Sequence, residues 1–226
     1  VVSVDPHKTK VTFKQNILDG DAQHTQTYTI HSNGAVLVSN ALTAIKGVSK
    51  QTLNLKGRKV KIPKGLHSNL YKYGNEFVLN PSLSNVKWYG NGPHENYIDR
   101  KQASNIGIYR SNTEDLFTMY ARPQDNGNRT EIRWVEFSSN KNVTLKFCSS
   151  VPFNFSASHY KKEDLDSGPN KKASQKHVRL LEPREDIYVN IDGFTSGVGC
   201  VNSWGALPRK EYRLPYGSYN LSLIHI

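Results

Sequence analysis

Short stretches in which apolar and polar residues alternate, each ended by Gly, Asn or Pro, run through most of this sequence. Residues 10–14 and 130–137 show the pattern clearly. A period of two places alternate side chains on one face of a β-strand, and an apolar face of that kind has to be covered. Within residues 130–137 we expect Ile132 and Trp134, or their neighbours, to face the core. Strands at roughly regular spacing, joined by turns, indicate a large antiparallel all-β sandwich.

The strongest hairpin signal is the dipeptide Asn33-Gly34, which lies between the stretches 26–30 and 35–39. Both stretches are rich in β-branched residues. A type I′ turn requires positive φ at both central positions, and Asn and Gly adopt positive φ most readily. The sequence therefore predicts a tight type I′ hairpin at this point.

Helical signals are brief, and nothing divides the chain into several domains. Residues 112–116 predict a turn and residues 158–165 a short helix. There is no fixed-period repeat and no low-complexity linker, so we interpret residues 1–226 as a single β-sandwich domain, with one weak boundary signal at Asn80-Pro81. The sequence has no initiator Met and no signal-peptide pattern. We therefore interpret it as an excised part of a longer, multidomain protein.

The charge balance is basic but is not concentrated in the way that nucleic-acid binding requires. There are 30 Lys and Arg against 19 Asp and Glu, for a formal net charge of +11. Basic residues are spread along the chain, and the densest run, 161–179, lies among Ser, Gly, Pro and Asn. An exposed loop is the favoured interpretation of that run, with a phosphate-binding patch as the alternative. Because the basic residues are spread along the chain, we expect no nucleic-acid partner. No run of 18 apolar residues occurs, so we expect no membrane partner.

The two cysteines, Cys148 and Cys200, have no spacing typical of a zinc site. Cys148 follows an apolar stretch, and we expect a buried thiol there. A disulfide between the two remains open at this point.

Three segments are denser in Gly, Pro, Asn and charge than a plain sandwich needs: residues 88–100, 120–129 and 190–205. We call them the first, second and third polar segments. In the first, His94 and Glu95 could act as an acid/base pair with Asp99 orienting the base. However, neighbouring residues of an extended chain point in opposite directions. The favoured interpretation is a shaped turn that Glu95, Asp99 and Arg100 pin by charge-assisted hydrogen bonds.

The second polar segment contains the turn Asp125-Asn126-Gly127, flanked by two arginines. Arg122 and Arg129 are candidates to pair with acids of the first polar segment. Asp125 and Glu131 could in principle form a glycosidase pair of carboxylates, but nothing in their spacing supports that role.

The third polar segment surrounds one large aromatic residue, Trp204, with glycines at 193, 197, 199 and 205. We interpret these glycines as a source of backbone freedom, which a strand core does not need and a loop that presents an indole to a ligand does. Flat aromatic faces stack on the apolar C–H face of a sugar. From the residues alone, Trp204 is equally well explained as a core residue or as a sugar-binding surface.

Taken in order, the three polar segments resemble the C-terminal, small-chain domain of family 2 β-galactosidases. The resemblance implies a supersandwich similar to galactose mutarotase, packed beside a TIM barrel that carries both catalytic glutamates. It also implies that Trp204, in Asn202-Ser-Trp-Gly205, lines the mouth of the active site. No catalytic, cofactor-binding or metal-binding residue is carried over to this chain.

The same resemblance implies partners and cofactors for a parent enzyme. These are a galactoside substrate, the other domains of the enzyme, a homo-oligomeric assembly, and Mg and Na on those other domains. A (β/α)₈ barrel of roughly 250 residues could not be contained in this sequence. Two alternatives remain: a free-standing mutarotase-like enzyme using His94 or His159 with a carboxylate, and a carbohydrate-binding or structural interaction domain.

Overall fold

A computed structural model describes residues 1–45, 49–55, 58–64, 69–166, 176–199, 202 and 206–225. Within these ranges the chain is built almost entirely of strands, which confirms the all-β prediction. The strands are β1 (Val2–Asp5), β2 (Lys8–Ile17), β3 (Ala22–His31), β4 (Val36–Ala44), β5 (Ser49–Leu55), β6 (Arg58–Lys64), β7 (Asn69–Leu70), β8 (Lys72–Leu79), β9 (Asn85–Gly92), β10 (Asn105–Asn112), β11 (Arg129–Ser138), β12 (Thr144–Ser158), β13 (Ile187–Thr195), β14 (Leu214–Pro215) and β15 (Tyr219–His225).

Eleven of these strands form one antiparallel sheet: nine follow the order β1-β2-β3-β4-β15-β12-β11-β9-β10, and β13 and β8 branch from β12. Strand β12, with 15 residues, is long enough to take part in two regions of the sheet. Its first half pairs with β15, and its second half pairs with β13, which in turn pairs with β8. The short pairs β5–β6 and β7–β14 stand outside this sheet.

Strands β8 and β13 fold back over the face of the same sheet and make the second layer of the sandwich. The Phe77 ring on β8 lies 4.9 Å from the Phe147 ring on β12, although these strands do not pair. Tyr73, also on β8, meets Tyr219 on β15. Burial between the layers removes large apolar side chains from water, which is the main stabilising term of such a fold. The largest of them are Trp88, Tyr97, Phe137, Phe147, Phe153, Phe155, Leu116, Ile132, Ile187, Ile191, Leu223 and Val38.

The hairpin at residues 31–36 forms as predicted, but the predicted turn type is wrong. Only Gly34 has positive φ, at 86°, whereas Asn33 does not. The Gly34 amide donates to the His31 carbonyl at 3.0 Å, and Asn33 Oδ1 accepts the Ala35 amide at 3.0 Å. The turn has one residue more than a type I′ turn, so Asn33 does not need the left-handed conformation. The Asn33 side chain caps the turn instead.

The strict alternation over residues 130–137 is interrupted by an irregularity in strand β11. The pairing with β12 shifts between Ile132 and Trp134, just after Glu131, whose φ is 58°. Ile132 and Val135 are therefore both buried, and Trp134 turns to the outer face. A bulge moves every later side chain to the opposite face, so the core position expected at Trp134 or a neighbour falls on Val135.

The two short helical signals are confirmed as one turn of α-helix at Lys162–Leu165, here α1, and a 3-10 turn at Glu114–Leu116. Strand β10 was not predicted. Cys148 is half-buried rather than buried, and it forms no disulfide among the described residues; Cys200 lies outside them. In the part of the chain that is described, no helix has the length and apolar character needed to span a membrane.

Candidate functional site

Glu95 joins the first polar segment to the second. Its carboxylate is almost fully buried and accepts hydrogen bonds from the Gly127 amide at 2.6 Å and the Tyr120 hydroxyl at 2.5 Å. The Arg100 guanidinium completes the carboxylate's shell with an ion pair. The prediction that Glu95 and Arg100 pin a shaped turn is confirmed. All three partners stabilise the ionised carboxylate.

A pair of fully buried asparagines connects the same two segments. The Asn96 amide donates to the Asn128 carbonyl at 2.8 Å, and Asn128 Nδ2 donates back to the Asn96 carbonyl at 2.8 Å. Asn96 Oδ1 also accepts from the Thr130 amide at 2.9 Å and the Thr130 hydroxyl at 2.6 Å. Sequence reasoning missed this connection, because an asparagine in a Gly- and Pro-rich stretch is most simply read as a turn residue.

Arg129 is buried and binds main-chain carbonyls instead of the predicted acids. Its guanidinium donates to the carbonyls of Gly127 at 2.6 Å and Leu116 at 3.1 Å, and it lies 5.5 Å from the Trp88 ring. Burial lowers the pKa of Arg129 to about 10, against the opposing charge of Glu95. Arg122, the other predicted partner, is exposed. The planar guanidinium suits a site where several carbonyls converge.

Asp99 joins the first polar segment to the third. Its Oδ2 accepts the Gly199 amide at 2.6 Å, and the neighbouring Gly197 amide donates to the Tyr212 carbonyl at 2.6 Å. A Cβ atom on Gly197 would collide with the Asp99 carboxylate. Neither Gly197 nor Gly199 has positive φ. The predicted role of these glycines as sources of backbone freedom is therefore wrong; they allow close approach to a carboxylate.

Lys72, which lies outside the three segments, joins the second to the third. Its Nζ lies 2.7 Å from Asp125 Oδ1 and 3.4 Å from Asp192 Oδ2, and all three side chains are largely buried. Burial alone would lower the pKa of Lys72, but the two carboxylates outweigh it and raise that pKa above its ordinary value. Burial, reinforced by Asp125, raises the pKa of Asp192 despite the nearby ammonium.

These contacts bring all three predicted segments together at one place, which we call the polar junction. It consists of Lys72, Glu95, Asn96, Asp99, Asp125, Asn128, Arg129 and Asp192. Trp204, the predicted substrate-binding residue, lies outside the described residues, as does Gly205. The junction anchors the third polar segment as far as Gly199.

Asp125, Glu131 and His159, the other candidate catalytic groups, each have partners within the fold. Asp125 pairs with Lys72, whereas Glu131 pairs with Lys101 at 2.7 Å, so the two carboxylates belong to separate ion pairs. Both ring nitrogens of His159 have partners: Nε2 the Thr113 hydroxyl at 2.9 Å and Nδ1 the Arg184 carbonyl at 3.0 Å. These bonds fix the orientation of the His159 ring.

His94 lines an open polar cleft of about 450 Å³ beside the junction, together with Arg100, Arg110, Asp115 and Tyr120. The Glu95 carboxylate next to it in sequence is held by Arg100 and Tyr120. Within the described residues, no group of three or more His, Cys, Asp or Glu is arranged to hold a metal ion.

The described residues form an antiparallel sandwich in which the three polar segments meet at one place, and comparison with known proteins gives the family of this domain. The family model described as the β-galactosidase small chain matches residues 2–224. The chain therefore belongs to the β-galactosidase small-chain family, which confirms the resemblance seen in the sequence.

Individual relatives carry the same name. A protein from Priestia megaterium named β-galactosidase is 25% identical over 190 residues, which are 83% of this chain and 16% of that protein. A β-galactosidase from Lactococcus lactis is 34% identical over 149 residues, covering 66% of this chain and 14% of that protein. The chain thus spans about a sixth or less of the length of these relatives.

Among solved structures, a GalM/aldose epimerase homologue from C. elegans aligns over the whole chain and 67% of its own. The TM-score is 0.42 and the sequence identity 12%.

Proposed function

We propose that this chain is the non-catalytic sandwich domain of a β-galactosidase, which hydrolyses terminal β-D-galactosides, and that it contributes Trp204 as an aromatic wall at the mouth of the active site. The observation that carries the proposal is the anchoring of the third polar segment on Asp99, shortly before Trp204 in the chain. An indole that binds a sugar needs a loop of defined direction, because stacking depends on the orientation of the ring.

The state of the carboxylates supports a non-catalytic role for the domain. Glu95, Asp99, Asp125 and Asp192 are each engaged by partners on another segment or on β8. A retaining glycosidase needs two carboxyl groups about 5–5.5 Å apart on either side of the scissile bond. We therefore place the catalytic pair, and any Mg or Na, on other domains of the parent enzyme, and we expect no galactoside hydrolysis by this chain alone.

Replacing Trp204 in the β-galactosidase that contains this chain tests the proposal. Trp204→Ala should lower kcat/KM for lactose by about 5- to 150-fold, the equivalent of about 1–3 kcal/mol of lost transition-state stabilisation. Trp204→Phe should retain most of the activity, because it keeps a flat apolar face. Trp134→Ala is the matched control, since Trp134 lies on the outer face of the sheet beside Tyr89. An unchanged kcat/KM in Trp204→Ala would contradict the proposed role.

A further inference from the structure

Two adjacent rows of polar side chains cross the outer face of the sheet where β9, β10, β11 and β12 lie side by side. Residues that are paired across neighbouring strands point to the same face, and so do residues two apart in one strand. The charged row consists of Arg110, Lys87, Glu136 and Lys146. The neutral row, displaced by two residues on each strand, consists of Asn112, Asn85, Ser138 and Thr144. At the usual spacing of strands, each row is about 14 Å long.

Two cations of the charged row, Arg110 and Lys87, stand directly opposite each other on neighbouring strands. Like charges in that position destabilise a strand pair. Glu136 is the other neighbour of Lys87, but its carboxylate pairs with Lys146 at 3.1 Å. The Lys87 ammonium lies 5.4 Å from the centre of the Trp134 ring, and no ion pair of Lys87 or Arg110 occurs within the described residues. An anion from outside these residues would therefore stabilise the pair of cations.

Both rows, except for Lys146, line an open groove of about 450 Å³. This volume lies within the range of sites that bind small molecules. The side chains of Asn112, Ser138 and Thr144 have no hydrogen-bond partner in the part of the chain that is described. Amides and hydroxyls can donate and accept hydrogen bonds, as the hydroxyls of a sugar also do. The groove therefore combines a pair of cations with a row of groups suited to sugar hydroxyls.

We propose that this groove binds a sugar that carries an anionic group, namely a phosphate, a sulfate or a carboxylate. Arg110 and Lys87 hold the anionic group, because a guanidinium donates in pairs to its oxygens and an ammonium adds a compact positive charge. The neutral row holds the hydroxyls of the sugar ring. This proposal does not depend on the role proposed for Trp204.

Binding to the 226-residue chain tests the proposal, with galactose 6-phosphate, galacturonate, galactose and inorganic phosphate as the probes. Calorimetric titration at constant ionic strength measures each affinity. We expect at least one of the two anionic sugars to bind about tenfold or more tightly than galactose and inorganic phosphate, each of which engages one row alone. Because Lys87 lies over the Trp134 ring, binding should also change the tryptophan fluorescence. Trp134→Phe should remove that change and leave the calorimetric affinity as it is.

Substitutions in the charged row identify the groups that bind the anion. Lys87→Met and Arg110→Met should each weaken binding of the anionic sugar by about tenfold. Glu136→Gln should strengthen it, because it removes the carboxylate that lines the groove. Lys10→Met is the matched control, since Lys10 is an exposed strand lysine whose cross-strand neighbours are uncharged.

Urea denaturation shows that these variants are folded. Lys87→Met should unfold at the same urea concentration as the parent chain or at a higher one, because it removes a pair of opposed like charges. Adding the anionic sugar should raise the midpoint of the parent chain and leave that of Lys87→Met unchanged, since only the parent binds it.

Three results would each overturn the proposal. In the first, inorganic phosphate binds as tightly as both anionic sugars, so that the neutral row contributes nothing. In the second, Lys87→Met and Arg110→Met bind the anionic sugar as tightly as Lys10→Met does. In the third, the chain binds none of the probes, whereas the two substitutions destabilise the β-galactosidase that contains this chain, which would make the groove a contact with another domain.

Discussion

The apolar core and the polar junction are both buried, but they are specified in different ways. In the core, the Phe137 and Phe155 rings meet edge to face with their centroids 6.4 Å apart, and most of the stabilisation comes from the apolar area that is buried. In the junction, Lys72, Glu95, Asp99, Asp125 and Asp192 each have a partner of opposite charge or a hydrogen-bond donor, and Arg129 donates to main-chain carbonyls. The stability of the core therefore depends on the volume of its side chains, whereas the stability of the junction depends on the charge and hydrogen-bonding capacity of each group. Substitutions that conserve shape should be mild in the first region and costly in the second.

The largest expected effect is the loss of a core ring. Phe155→Ala removes a fully buried side chain that packs on Trp88 and Phe137. We expect the free energy of unfolding to fall by about 3–5 kcal/mol, through lost transfer energy and a cavity that the surrounding rings cannot fill. Urea denaturation of the chain, followed by far-ultraviolet circular dichroism, measures it. Val151→Ala on the same strand, at a side chain 57% exposed, should cost less than about 0.5 kcal/mol. A loss below about 1 kcal/mol in Phe155→Ala would show that the core relaxes around the change.

An isosteric change in the junction comes next. Glu95→Gln keeps the shape of the side chain, yet it removes the charge that Arg100 pairs with and weakens the bonds from Tyr120 and Gly127. We expect a loss of about 2–3 kcal/mol in the same urea experiment, because a buried charged acceptor is replaced by a neutral one.

Glu136→Gln is the matched control for that change. It breaks the Glu136–Lys146 ion pair at 3.1 Å on the partly exposed face of the sheet. Its cost should stay below about 1 kcal/mol, since exposed ion pairs contribute little. Equal losses in the two variants would mean that the junction is no more dependent on its charges than the surface is.

The difference between the two regions also explains what could be predicted from the sequence. Strand content follows from local alternation, so the all-β architecture and the hairpin could be predicted. The single turn of α-helix could be predicted as well. The exceptions are local: a bulge near Glu131 moves Trp134 outward, and one extra residue changes the turn at Asn33. Both depend on the backbone conformation of one residue, which periodicity does not report.

The junction could be predicted only in part, because its members meet through strand register rather than through sequence spacing. The three segments are recognisable by composition, and the contacts of Glu95 and Asp99 follow from their charge. Lys72 carries no local signal, since a lysine in an alternating stretch is normally a solvated residue. Its contact with Asp192 becomes evident only once β8 pairs with β13.

The smallest expected effect lies where the two regions meet, at Tyr73. Its ring packs against Phe194 and Tyr219, while its buried hydroxyl has no hydrogen-bond partner among the described residues. Burial raises the pKa of Tyr73 to about 12. The unfolded chain releases this proton near pH 10, so the folded chain binds more protons between these values. The contribution of the protonated Tyr73 hydroxyl to folding stability is therefore intact below about pH 10 and is lost as the pH rises toward 12.

Replacing the hydroxyl isolates that contribution. At pH 7, Tyr73→Phe should unfold at nearly the same urea concentration as the parent chain, because it keeps the ring contacts and removes a polar group without a described partner. At pH 11 it should be more stable than the parent by roughly 1 kcal/mol, because the parent alone has to keep a buried tyrosine protonated. The same difference between variant and parent at both pH values would show that the Tyr73 hydroxyl behaves as part of the polar junction, with a partner that stabilises it, and not as part of the apolar core.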